Sequence, residues 1–218
     1  MLTDGEIKRN IEAGEFSLEP FDTGSLQPAS YDLRVGETAF TSSSREKVNL
    51  AQRGVLIVEP GEFVVVEALE RVKFGPSIAA QLGLRSEYAR RGLLMLSGPQ
   101  IDPGFAGALV VRLINLAPTS VALPFKAPFM TAQFFKLSEP VAQPYEGPRQ
   151  GQTGITNQDI QELTQTEALT LGGVVKTLGA LAADMRELKG SVGRLSWIVP
   201  ALVGFGIAVI AVMVAIKP

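Results

Sequence analysis

The sequence predicts a mostly β domain, a barrel or jelly roll, followed by a helical stalk and one apolar segment. Three observations carry this reading. Short apolar or alternating runs between proline and glycine signals fill residues 1–146, the pattern of antiparallel β architecture. A heptad seam crosses residues 171–195. Behind it lie twenty uncharged residues, 197–216, opening on Trp197 and ending on Ile216.

Taken in order, Thr3 and Glu6 have the spacing of a capping box that opens a short helix, and Gly14 is placed to end it. Acidic residues and the lack of an apolar stretch distinguish this N-terminus from a signal peptide. Val55–Val58 and residues 62–67 read as strands around a Pro60-Gly61 turn. Residues 108–116, 120–125 and 129–137 read as further strands, bounded by Pro118, Pro124 and Pro128. Residues 147–156 are predicted to be a flexible closing segment, after which Thr156 or Asn157 caps a helix.

In the stalk, 157–196, the residues Leu171, Val174, Leu178, Leu181, Met185, Leu188, Val192 and Leu195 alternate spacings of three and four. Gly172, Gly173, Gly179, Gly190 and Gly193 each cost about 1 kcal/mol relative to Ala, so this helix needs partners. An oligomeric coiled coil and packing back on the domain both satisfy that need. Residues 197–216 make about 30 Å of helix, the thickness of a bilayer core. Trp197 suits the interface, and only Lys217 carries charge beyond Arg194. The expectation is a single-pass C-terminal anchor in a lipid bilayer with the domain in the cytoplasm.

Composition narrows the chemistry. The chain has no histidine and no cysteine, which excludes a Ser-His-Asp triad, a thiol nucleophile and zinc-thiolate sites. Its net charge of −2 gives no support to general nucleic-acid binding. Carboxylates, arginines, hydroxyls and amides remain, with a hard oxygen-ligated ion such as Mg²⁺.

Two stretches concentrate such groups. Residues 84–92 hold Arg85, Ser86, Arg90 and Arg91, forked and short donors suited to phosphates, although a solvated helical turn reads the same way. Residues 98–107 place Asp102 on a Gly/Pro-stiffened hairpin, where it is either a turn-former or a base.

These pieces resemble the dCTP deaminase/dUTPase family. The resemblance runs through Leu2-Thr3-Asp4-Gly5-Glu6-Ile7, Pro28-Ala29-Ser30-Tyr31-Asp32-Leu33, Arg85-Ser86 to Gly92, Ile101-Asp102-Pro103-Gly104-Phe105-Ala106-Gly107, Ala132-Gln133 and Gln150-Gly151-Gln152-Thr153-Gly154. It implies a distorted β-barrel homotrimer binding pyrimidine deoxynucleoside triphosphates with Mg²⁺ between subunits. Arg85, Ser86 and Arg90 would then hold phosphates, Asp32 would lie at the metal-bound phosphates, and Gln133 and a tail Gln152 would contact the nucleotide. Phe105 stands where the dUTPase branch uses a tyrosine against the sugar, and Asp102 would activate water.

The deaminase branch uses a glutamate on the next strand, and that position is Arg112 here, which cannot shuttle protons. The resemblance therefore implies dUTP (or related dNTP) hydrolysis to the monophosphate and pyrophosphate. A catalytically silent membrane sensor and a dCTP deaminase stand as alternatives.

Overall fold

The computed structural model describes residues 1–167 and, beyond them, residues 177–179, 181, 185 and 189. The chain divides into two compact units, Met1–Val174 and Val175–Pro218. In the first, α1 (Asp4–Glu12) opens with the expected capping box: Thr3 accepts from the Glu6 amide and Glu6 from the Thr3 amide. Twelve strands follow among the described residues: β1 (Phe16–Glu19), β2 (Leu26–Gln27), β3 (Ser30–Thr41), β4 (Lys47–Asn49), β5 (Val55–Val58), β6 (Phe63–Phe74), β7 (Ile78–Leu84), β8 (Leu93–Met95), β9 (Gln100–Ile101), β10 (Ala106–Asn115), β11 (Val121–Pro124) and β12 (Pro128–Lys136). Short helices α2 (Leu50–Arg53) and α3 (Ser86–Arg90) interrupt them, and α4 (Asn157–Glu167) follows.

The main sheet runs β8-β10-β6-β3-β12-β7-β9, with β1 added on β6 and β2 and β4 on β3, while β5 pairs with β11 in a separate ribbon. Register shifts in the β3–β6 and β10–β6 pairings bend the long strands, and the sheet curls into a half-barrel. The core inside the curl gathers Tyr31, Leu33, Val64, Val66, Leu113, Phe129 and Phe134. Residues Phe63–Val66 are buried on both faces. Val64 and Val66 face that core, whereas Phe63 and Val65 join Phe40 and Ile114 beneath Ile155 and Leu163. The uninterrupted apolar run in β6 therefore reflects a second layer, made by the chain's tail and α4.

The expected strands stand on either side of the Pro60-Gly61 turn and belong to different sheets, β5 pairing with β11 and β6 with β1, β3 and β10. One expectation changes: residues 98–107 are not a hairpin, because β9 pairs with β7 and β10 with β6 and β8. The link from Asp102 to Phe105 instead joins β9, at one end of the sheet, to β10, the neighbour of β8 at the other, and four residues span at most about 14 Å. Asp102 thus sits where the half-barrel comes closest to closing.

Of the heptad seam, Leu178, Leu181 and Met185 are described, and they are helical and exposed. The rest of the seam and residues 197–216 lie outside the described residues. Among the described residues, no helix is long and apolar enough to cross a membrane.

Candidate functional site

The predicted site residues fall into two separate groups. The first lies around β3, β12 and α3. The Asp32 carboxylate is buried and accepts from the Arg85 guanidinium and from Thr131 Oγ1, the latter at 3.1 Å. Asp32 is on β3 and Thr131 is its register partner on β12, so the sheet itself aims both at the arginine that begins α3. This carboxylate is already matched by a cation and a hydroxyl. Among the described residues, no group of three or more acidic side chains gathers around an ion position. The donor set does not fit a protein-built Mg²⁺ site, and Asp32 instead positions Arg85.

The exposed face of α3 carries Ser86 and Arg90, whose Nη2 donates to Ser86 Oγ at 3.1 Å. Glu87 points toward Arg91 at 3.9 Å and is largely exposed. Gln133, also exposed, lines a shallow cavity with Gln81 and Thr131. This face presents hydroxyl, guanidinium and amide groups suited to an anion.

The second group lines a cavity of about 410 Å³ and includes Asp102, Phe105, Arg112 and Gln152. Its floor comes from the β9–β10 link and β10. Its upper wall is the tail, which is bonded along its length rather than loose. The Tyr145 amide donates to Pro103 O, and the Gly151 amide to Ala106 O, both at 2.8 Å. Gln150 clamps the link from both sides, accepting from the Ala106 amide and donating to Gly104 O. The Ala108 amide reaches Gln152 O at 2.7 Å. Phe105 packs edge-on against Tyr145, with centroids 5.6 Å apart.

Gly107 makes this seating possible. A Cβ there would lie 2.9 Å from Gln152 O and 3.0 Å from Gln152 N. Gly107→Ala is therefore expected to lift the tail, at a cost of about 1–3 kcal/mol, and to speed trypsin cleavage after Arg149. An unchanged cleavage rate would show that the tail does not depend on this close approach.

Arg112 stands in the same cavity, tied to α4. Its Nη2 meets Glu162 and, at 3.5 Å, Asp159. Asp159 also accepts from Arg149 Nη1 at 2.7 Å, and Arg149 donates in turn to the Gln152 carboxamide at 3.2 Å. Thr156 and Asp159 exchange bonds across the start of α4 in the reciprocal manner of a capping box. Sequence reading proposed Thr156 as a cap but missed Arg149, Asp159 and Glu162 as cavity residues. The Thr-x-x-Asp spacing was the available signal, and nothing local says what the aspartate's other oxygen would meet. On β6, Arg71 Nη2 reaches Gln152 O at 3.3 Å, and burial raises the Glu67 carboxyl above the usual range.

Burial pushes the Asp159 carboxyl up, but bonds from the Thr156 amide and hydroxyl and from Arg149 outweigh it and hold it low. Bonds from Arg112 and Gln158 lower Glu162 as well. A carboxylate with a folded pKa below its unfolded value stabilises above the unfolded value, and this is lost as pH falls through the folded one. Below about pH 4, α4 is expected to loosen. Amide signals of residues 157–167 should lose dispersion before those of the β core, and simultaneous loss would refute a local effect.

A profile of dCTP deaminase-like proteins matches residues 1–127. A dCTP deaminase from Pyrococcus horikoshii is 36% identical over 153 residues, 70% of this chain and 93% of that protein. A dUMP-forming dCTP deaminase from Kocuria rhizophila is 33% identical over 161 residues, 66% of this chain and 84% of that protein. In fold, a crystal structure of 2′-deoxycytidine 5′-triphosphate deaminase from Agrobacterium tumefaciens matches with a TM-score of 0.52 and 20% identity, covering 61% of this chain and 46% of that one.

Proposed function

This chain belongs to the dCTP deaminase-like family, and from that premise we propose that it binds a pyrimidine deoxynucleoside triphosphate and hydrolyses dUTP, or a related dNTP, to the monophosphate and pyrophosphate. The observation that carries the reading is the cavity pairing of Asp102 with Arg112. The name of the Kocuria relative joins loss of the amino group to formation of a monophosphate. This chain keeps a carboxylate suited to the second step. At 112, where the first would need a proton shuttle, it has a permanent cation.

In the hydrolytic step Asp102 takes a proton from water. The water oxygen bonds to the α-phosphorus, the bond to the bridging oxygen breaks, and pyrophosphate leaves. Arg85, Ser86 and Arg90 supply donors to the phosphates. Because these residues lie outside the cavity that Asp102 lines, the reading includes a homotrimer in which neighbouring subunits complete each site.

The full chain incubated with dUTP should release pyrophosphate, and with dCTP it should release no ammonia. Ammonia from dCTP would restore the deaminase reading. Tight dNTP binding without product from either would support the silent sensor, a reading favoured by the intramolecular bonds that already engage Ser86 and Gln152. Residues 197–216 are taken as the tether of a cytoplasmic domain to a bilayer. Deleting them is expected to move the protein from the membrane fraction to the supernatant, and retention in the membrane fraction would refute the tether.

A further inference from the structure

Helix α4 lies beyond the matched profile, yet it builds part of the cavity. Asp159 and Glu162 line it together with Asp102 and Phe105. Three separate parts of the chain meet at the Asp159 carboxylate, whose side chain is only 2% exposed: Arg112 from β10, Arg149 from the tail, and Thr156 at the start of α4. Through Arg149 the same carboxylate fixes the Gln152 carboxamide.

Charge decides what this cavity takes. Asp102, Asp159 and Glu162 face Arg112 and Arg149, three negative groups against two positive ones. The outer phosphates gain nothing from entering, and the nucleoside end of the nucleotide fits better, against Leu96, Phe105 and Val110, which leaves the α-phosphorus beside Asp102. Such a ligand does not compete for the two arginines. It touches a wall shared by the β domain and α4, and so it favours the arrangement in which both are present.

Leu163 and Ile160 pack with Ile155 over Phe63, Val65 and Ile114.

We propose that Asp159 is a positioning residue that couples occupancy of this cavity to the docking of α4, so that a bound nucleotide and a docked α4 favour each other. The coupling rests on the nucleotide-binding reading above. It is reciprocal: whatever stabilises α4 tightens nucleotide binding by the same factor.

The test uses the full chain with dUTP and dCTP, measuring affinity by calorimetry and amide hydrogen exchange over residues 157–167. Saturating nucleotide should slow exchange there in the parent protein. Asp159→Asn should weaken binding about tenfold and abolish the slowing, and Asp159→Glu should restore part of both. Arg149→Ala, at a side chain 40% exposed and so safe for the core, should also abolish the slowing. A purely structural Asp159 would alter exchange with and without nucleotide alike, leaving the ligand-dependent difference intact.

Nucleotide binding with unchanged or faster exchange at 157–167 overturns the coupling and leaves the nucleotide reading standing. So does parent-like affinity and protection in both Asp159→Asn and Arg149→Ala. Failure of both nucleotides to bind the parent protein overturns the nucleotide reading, and the coupling with it.

Discussion

Asp102→Asn is expected to lower pyrophosphate release from dUTP by about 10²–10⁴-fold, the usual contribution of a positioned general base. The loss should fall on kcat, with KM nearly unchanged. The substitution is close to isosteric, and Asn keeps an oxygen for the Gln100 amide that donates to Asp102 Oδ1. The turn survives too, since it is the Asp102 backbone carbonyl that accepts from the Phe105 amide at 3.2 Å. The competing view of this residue as a turn-former thus predicts a different result. A turn-former acts through its backbone here, and Asn would serve as well as Asp. Turnover within a few-fold of the parent would remove Asp102 from the chemistry. A loss in KM alone would make it a binding contact.

That experiment concerns a residue whose chemistry was readable and whose position was not. Asp102 stands out in the sequence between glycines and prolines, but local signals suggest a hairpin. The observed pairing sends β9 to β7 and β10 to β6, a long-range choice that no turn chemistry encodes. Local features were legible: the Thr3–Glu6 capping box and the strands that became β5, β10, β11 and β12 all lie close to where their patterns place them.

Partners distant in sequence were not legible. Asp32 and Arg85 are 53 residues apart and Arg112 and Asp159 are 47 apart, so a pattern that reads either one alone assigns it to a ligand. The first pairing explains why Asp32 suits positioning better than metal binding. The second gives Arg112 a role that its place on β10 does not suggest. The buried outer face of β6 was hidden for the same reason, because a run such as Val64-Val65-Val66 does not say what covers its second side.

Glu70→Ala is expected to destabilise the domain by about 3–5 kcal/mol, the typical result of removing one partner of a buried ion pair. For a chain of this size that lowers Tm by on the order of 10 °C. Glu70 on β6 is fully buried and accepts from Arg34 twice, from the backbone amide at 2.9 Å and from Nε at 2.6 Å. The guanidinium also reaches Pro20 O and Asp22, binding the loop after β1 to the sheet. Without the carboxylate, the Arg34 amide loses its acceptor and a mostly buried cation keeps only Pro20 O and the longer contact to Asp22.

The size of the effect comes from what is left unpaired, which a second variant can expose. Glu70→Leu combined with Arg34→Met removes both charges, and most of the stability should return because apolar replacement of a buried pair is often neutral. If the double variant is as unstable as Glu70→Ala, the pair contributes by organising the backbone around Arg34. That distinction bears on the site, since Asp32 and Arg34 lie two apart on β3 and so share its polar face. An anchor that only balances charge can be replaced without moving Asp32. An anchor that sets the path of β3 would also displace Arg85, and nucleotide affinity would fall with stability.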